Sequence, residues 1–310
     1  MQMRIAVADF VTNTCFPLLV AEELGFFKAE GLDAQVELIT PATKAISALR
    51  EGTTDAYAGG SVHAVLKSFP CWKGVKLIAA LSQGIPWLLV VRADLRAERG
   101  DMNALKGLRI GADHEPDAAL KQLLIASGLD AERDKVQIVP VPGAGEPGVS
   151  FGVAAAKALE AGQIDAFWAN AMATEIAIRR GVGKVLLDVR RGDGPPAAWN
   201  FTFSGLVTTD ALIDRDPERI AATVRAIVKT HKALRADPTR AAEVGKRRFP
   251  PDAAELIAAI IERDLPFYDA AISEEAVNGL NRFAQSIGLL PEPVSYDQVV
   301  AARFRDLWRL

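Results

Sequence analysis

Two stretches of this chain repeat each other in the same order, and that repetition limits its possible folds more than any single segment does. Gly31-Leu32-Asp33-Ala34 returns 97 residues later as Gly128-Leu129-Asp130-Ala131. Leu49-Arg50-Glu51-Gly52-Thr53-Thr54-Asp55-Ala56-Tyr57 returns 110 residues later as Leu159-Glu160-Ala161-Gly162-Gln163-Ile164-Asp165-Ala166-Phe167. The second copy therefore holds 13 extra residues, placed near Val141–Phe151. Each copy predicts a strand, a helix, a glycine stop, an aspartate and a second strand, with the Gly-Leu-Asp-Ala element just before a strand. Self-similarity in fixed order predicts two lobes of related architecture. The competing reading is that Gly-x-x-Asp-Ala is only a recurrent turn-to-strand signal.

Around the repeat, short apolar runs alternate with helical ones. Ile5–Ala8 predicts a strand, and Thr12-Asn13-Thr14 a turn whose Asn or Thr caps a helix over Pro17–Leu24. Val36–Ile39 predicts the next strand, and Thr40-Pro41 opens a helix with Ala45, Ile46 and Leu49 on its apolar face, ended by Gly52. Further strands are predicted at Ala56–Ala58, Leu77–Leu81, Trp87–Val91, Arg109–Ala112, Val136–Val141, Ala166–Trp168 and Lys184–Leu187. Such alternation implies α/β architecture with mainly parallel open sheets. After about Thr209 the pattern becomes helical, over Ile220–Ala236, Ala253–Asp264, Glu274–Ile287 and Tyr296–Leu307, punctuated by Pro238, Pro250-Pro251, Pro266 and Pro291.

Composition removes several function classes. Half of the 310 residues are apolar and 24% are charged, which suits packed domains rather than disorder. Lys plus Arg is 36 against 39 for Asp plus Glu, a net charge of −3, so no broad nucleic-acid surface is expected. Cys15 and Cys71 cannot build a disulfide framework. His63, His114 and His231 are far apart in sequence and no metal-ligand spacing occurs, so neither metal nor cofactor is expected. No apolar run reaches the ~18 residues needed to cross a bilayer. The start Met1–Ala8 goes straight into a strand-like segment with no secretory signal. The expectation is therefore a cytoplasmic protein, or a periplasmic one whose leader has been removed.

In open α/β sheets, ligands sit at the carboxyl ends of strands beside helix N-termini. Asn13, Thr14, Cys15 and Phe16 occupy the first such turn, where free N–H groups and the positive helix end favour polar contact. Gly59-Gly60-Ser61 forms the second, with backbone close to a ligand at Gly60 and capping by Ser61 as the alternative; His63 lies in the first turn of the helix after it. Ser82-Gln83-Gly84-Ile85-Pro86-Trp87 links two strands near a hinge: Gln83 is a candidate contact, and Trp87 either stacks on a ligand ring or fills the core. Asp113-His114-Glu115-Pro116-Asp117 is an acidic helix start, read either as capping or as recognition of a cationic or donor-rich group, with Asp113 and His114 as contacts. Trp168 and Asn170 follow the second Asp-Ala-aromatic strand, and Trp199 and Phe201 stand at the return crossing. Gly143-Ala144-Gly145-Glu146-Pro147-Gly148 matches G-x-G-x-x-G, but three nearby prolines and a mid-chain position favour a loop over a dinucleotide site.

The run Pro17-Leu18-Leu19-Val20-Ala21-Glu22-Glu23-Leu24-Gly25-Phe26-Phe27-Lys28-Ala29-Glu30-Gly31-Leu32-Asp33 resembles the solute-binding proteins of ABC importers for nitrate, sulfonates and taurine, a group that includes thiamine-pyrimidine-precursor proteins. Leu49–Tyr57 with Gly59-Gly60, Lys76–Gln83, Leu105–Gly111 and Leu159–Trp168 continue the resemblance over roughly residues 4–290. It implies a type II periplasmic-binding-protein fold with a hinged cleft: lobe I over 1–91, lobe II over 92–203, and a return to lobe I over 204–310. It also implies a monomer that captures a small organic ligand (a sulfonate, aromatic or heterocyclic compound) by lobe closure and delivers it to an ABC permease. Anion-binding relatives would carry small hydroxyl residues where this chain has Asp113–Asp117. A rival reading is an enzyme similar to aromatic sulfinate desulfinases, with Cys15 activated by its helix end and His63 as acid or base. The Arg-x-Gly-Gly expected there reads Tyr57-Ala58-Gly59-Gly60, and the clustered cysteines of the pyrimidine synthases are absent.

Overall fold

A computed structural model describes residues 1–10, 14–112, 117–144, 151–249 and 251–309. The strands in chain order are β1 Gln2–Val7, β2 Asp33–Leu38, β3 Ala56–Gly59, β4 Val75–Ser82, β5 Leu88–Arg92, β6 Arg109–Ala112, β7 Gln137–Val139, β8 Ala166–Ala169, β9 Gly183–Leu187 and β10 Ser204–Thr209. The α-helices are α1 Phe16–Glu23, α2 Phe26–Ala29, α3 Ala42–Arg50, α4 Val65–Ser68, α5 Asp117–Ala126, α6 Phe151–Glu160 and α7 Ala171–Arg179. They continue with α8 Asp210–Arg215, α9 Pro217–Ala236, α10 Thr239–Arg248, α11 Pro251–Asp264, α12 Glu274–Ser286 and α13 Tyr296–Val299.

The chain divides into two compact units, Met1–Gly84 with Thr202–Leu310, and Ile85–Phe201. Unit 1 holds a sheet in the order β2-β1-β3-β10-β4, and unit 2 a sheet in the order β7-β6-β8-β5-β9. In each, one strand arriving from the other segment is antiparallel to its neighbours: β10 lies between β3 and β4, and β5 between β8 and β9. The remaining pairs are parallel. Each sheet is therefore mixed rather than mainly parallel, with two parallel and two antiparallel pairings, because the strand that crosses from the other segment enters antiparallel; the α/β architecture expected is built twice on this one plan.

The repeat has a physical basis that the glycine and aspartate only hinted at. In unit 1 the Arg4 N–H donates to Asp55 Oδ2 at 2.8 Å and the Arg4 guanidinium to Gly52 O at 3.2 Å. In unit 2 the Arg109 N–H donates to Asp165 Oδ2 at 2.9 Å and its guanidinium to Gly162 O at 2.7 Å. Gly52 and Gly162 both end their helices with positive φ, 74° and 66°, which any Cβ would oppose. The first repeat element is less regular: Asp33 opens β2, whereas β7 begins only at Gln137, six residues beyond Ala131. Glycines 145 and 148 and most of the insertion lie outside the described residues.

Two boundaries differ from expectation. The strand predicted over Trp87–Val91 pairs with β8 and β9, so it belongs to the second sheet and the first crossing falls after Gly84, not near residue 91. The loop Ser82–Trp87 thus joins strands of different sheets. The helix expected over Tyr296–Leu307 is broken: α13 stops at Val299, Val300 bridges β4 at Leu77, and a 3-10 segment follows over Ala302–Arg309. The sheet edge outcompetes helix continuation because Val300 is fully buried beside it. Helices α8 and α10 are additional to those expected; Thr209 caps α8, its Oγ1 accepting from Leu212 N.

The longest helix, α9, shows how the late helices support unit 1. Asp216 accepts from Arg219 N at its start, with Pro217 in the first turn, where proline costs no hydrogen bond. Ile220, Val224, Ile227 and Leu234 recur at helical spacing and are fully buried, each stabilising by roughly 1.5–3 kcal/mol. The helix packs on α1 and α2. Unit 2 has its own core around Val90, Leu159, Ile164 and Phe167.

Candidate functional site

The carboxyl end of the unit 1 sheet gathers small polar side chains. Thr14 and Cys15 lead into α1, and the Cys15 thiol reaches Ala58 O near the end of β3 at 3.8 Å. Thr202 joins the incoming β10 to the turn after β3: its Oγ1 donates to Gly60 O at 3.2 Å and accepts from Val62 N at 3.1 Å. Ser204, the first residue of β10, is registered against Ser82, the last of β4. Thr14, Ser82 and Ser204 are each 0% exposed; the hydroxyls of Ser82 and Ser204 have no hydrogen bond among the described residues, and that of Thr14 is turned to the Cys15 thiol. A buried hydroxyl without a partner costs about 1–3 kcal/mol, so a solute bound beside Ser82 and Ser204 would gain by supplying one.

Cys15 does not carry the thiolate expected of a helix N-terminus. Desolvation pushes its pKa up to about 12, the Asp9 carboxylate adds to the rise, and the neighbouring Thr14 hydroxyl only partly opposes it. Cys15 itself holds the N-cap position of α1, without a side-chain capping bond; the expected caps were Asn13 or Thr14. Phe16, the first helical residue, is buried in the core.

Other candidates are placed differently. His63 turns into the interior, edge-on to Phe283 of α12 with ring centroids 4.9 Å apart. Burial, with Lys67 assisting, lowers its pKa to about 3, so it is a neutral core residue rather than an acid or base. Gln83 donates from Nε2 to Asp269 O at 2.9 Å and Ala271 O at 2.8 Å, fastening β4 to the segment between α11 and α12. Ser61 is buried but makes no side-chain cap; its carbonyl accepts from Ala64 N. Gly60 remains partly open.

In unit 2, Trp87 and Trp168 form an edge-to-face pair, centroids 6.2 Å apart. Trp168 is fully buried with Nε1 unpartnered, and Trp87 is nearly so. Asn170 caps α7, its Oδ1 accepting from Ala173 N at 3.1 Å. Trp199 belongs to a short 3-10 turn over Pro196–Asn200, and its carbonyl accepts from Ile85 N at 3.2 Å, tying the two crossing segments together within unit 2. Phe201 ends that turn, largely buried. Asn13, Asp113 and His114 lie outside the described residues. Sequence reading missed Ser204, whose only signal was a hydroxyl opening a strand. It also missed Arg190, whose buried side chain lies 3.9 Å from Asp188.

Three surface concavities of unit 1 do not coincide with these turns. One, of about 280 Å³, lies between α9 and the C-terminal segment, lined by His231, Arg235 and Trp308. A second, of about 630 Å³, lies at the carboxyl end of β2, lined by Leu38, Thr40 and Lys44, and a third, of about 480 Å³, lies beside α8. Buried unpaired hydroxyls at strand carboxyl ends distinguish the turns after β1 and β4 from the concavity after β2. Among the described residues no group of His, Cys, Asp or Glu is arranged to hold a metal ion, and no helix is long and apolar enough to cross a membrane.

Two open α/β sheets of one plan, linked by two crossings, define the class of periplasmic-binding-protein folds. The chain belongs to the NMT1/THI5-like family, whose profile matches residues 12–241. Its fold is similar to that of the periplasmic aliphatic sulphonate binding protein SsuA from Escherichia coli (TM-score 0.73, 13% identity, 98% of this chain and 99% of that one). It is also similar to the alkanesulfonate-binding protein SsuA from Xanthomonas axonopodis pv. citri bound to MOPS (0.69, 16%, 98% and 97%). The desulfurization enzyme DszB shares it as well (0.63, 18%, 98% and 98%). No curated protein matches the chain by sequence.

Proposed function

We propose that this chain is a solute-binding protein that captures a small organic ligand by closure of its lobes and hands it to an ABC importer, working as a periplasmic monomer. The observation that carries this reading is the pair of buried, unpaired hydroxyls of Ser82 and Ser204, with Thr14 beside Cys15, at the carboxyl end of the unit 1 sheet. They fit a bound solute that supplies the missing hydrogen bonds. The similarity to SsuA supports the same class of role. Trp87, Trp168 and Asn170 are the contacts we assign to unit 2.

Desulfinase-like catalysis is the second reading, favoured by the likeness to DszB and by a cysteine at the first turn. A thiol with a pKa of about 12 weighs against it. At pH 7 such a group is ionised in only about one molecule in 10⁵. Calorimetric titration with mass analysis of the recovered ligand tests the choice. Saturable binding with the ligand recovered intact is the expected result; product formation abolished by Cys15→Ala would sink it.

A further inference from the structure

Within unit 1, the concavity of about 280 Å³ between α9 and the C-terminal segment carries charge that the fold leaves unmatched. Lys232 and Arg235, on one face of α9, and Arg309 of the C-terminal segment bring it three cations, against one carboxylate, Asp269. The other basic side chains of α9 are matched, Arg219 to Asp216, and Arg225 and Lys229 to Glu30. So are Arg303 and Arg305 of the C-terminal segment, to Asp214 and Asp306. Among the described residues, the three lining cations have no ion-pair partner. Arg235 is held in place by donating from Nη2 to Tyr268 O at 2.6 Å, and Asp269 Oδ1 accepts from Ala271 N at 2.9 Å, within its own turn. A carboxylate ending the chain at Leu310 would still leave the balance positive. The lining includes His231, which is 1% exposed and stacked on Tyr268. A neutral imidazole has one N–H and one acceptor nitrogen. The Leu81 carbonyl draws the N–H, and the acceptor nitrogen has no partner among the described residues. The cations call for an oxyanion, and the nitrogen for an O–H. The volume is at the small end for a ligand pocket and admits only a short carbon skeleton.

We propose that this concavity is a second binding site, separate from the hydroxyl-lined sheet end, for a small hydroxylated oxyanion of the short hydroxy-acid class. Its oxyanion meets Lys232, Arg235 and Arg309, and its hydroxyl donates to the acceptor nitrogen of His231.

Lactate, propionate and lactamide, titrated on the full chain by calorimetry at physiological salt, test this. Lactate is expected to bind saturably and about tenfold tighter than propionate, which lacks the hydroxyl; lactamide, which lacks the charge, should bind more weakly than lactate by at least about tenfold. Lys232→Gln and Arg309→Gln replace exposed side chains, so the melting temperature without ligand should hold while lactate weakens about tenfold in each. His231→Phe, which keeps the ring stack, should bring lactate to within about threefold of propionate. Ser204→Ala should leave lactate unchanged. No saturable binding of lactate overturns the inference, as does equal binding of lactate and either other probe. Loss of lactate in Ser204→Ala, with retention in Lys232→Gln and Arg309→Gln, overturns it too and leaves the carrier reading intact, since the anion would then sit at the sheet end assigned to the carried solute.

Discussion

Ser82 and Ser204 face each other across β4 and β10 with nothing to bond to, which makes them costly to the free protein and useful to a complex. Replacing either by Ala removes an unsatisfied buried group, so stability should hold or rise by up to about 1 kcal/mol. Ligand affinity should fall by about tenfold in the same variants, the cost of one hydrogen bond in a dry site. A urea melt and a titration on each variant separate the two effects; parallel loss of both would mean the serines only pack. Cys15 gives a second residue-scale expectation. Being buried, with a pKa of about 12, it should resist a thiol reagent at pH 8 in the native chain and react only on unfolding. Fast native labelling traced to Cys15 by peptide mapping would contradict this.

Elements repeat a lesson that single residues do not: where two helices touch, the glycine between them sets their spacing. A Cβ at Gly152 of α6 would lie 2.7 Å from Ala173 Cα in α7, and backbone cannot yield as a side chain can. Gly152→Ala should therefore lower stability by roughly 1–3 kcal/mol, read as a lower urea midpoint. Much at this scale was legible from sequence. Strand and helix order followed from periodicity, and the Gly52 and Gly162 stops from turn chemistry. What escaped notice depended on partners distant in sequence. Val300 joins a sheet because Leu77 is there to receive it, and β5 sits in the second sheet because β8 and β9 flank it. His63 looked like a site residue by position, and only Phe283, more than two hundred residues away, shows it to be core. Ser204 offered only a hydroxyl at a strand start, since its meaning comes from register with Ser82.

On the scale of the whole molecule, stability should depend on acid in a way these buried rings dictate. His63 and His231 both have native pKa values lowered to about 3, chiefly by desolvation. The unfolded chain takes up those protons near pH 6.5, so below that pH the unfolded state binds more protons and stability falls as pH falls. Each histidine contributes a loss of up to about 1.4 kcal/mol per pH unit in that range. Glu30 and Asp165, whose lowered pKa values give stability lost only as pH drops below about 4.5, do not act in the window between pH 6.5 and 4.5. Denaturant midpoints at pH 7 and pH 5 should therefore differ. The difference should shrink in His63→Leu, and in His231→Phe, which keeps the stack on Tyr268. An unchanged difference in both would remove the histidines as its source.

Unit 2 is one continuous stretch of chain, whereas unit 1 is begun by its first 84 residues and finished only by residues from Thr202 onward. During synthesis the inner unit can therefore mature as soon as it clears the ribosome. The outer one must wait, its β3 and β4 strands holding open the gap that β10 will fill. Until that strand arrives, two backbone edges rich in apolar residues stand unpaired in the nascent chain. The order of birth of the two halves is thus opposite to their order in the sequence, and a holdase that shields exposed strands would act on residues 56–82.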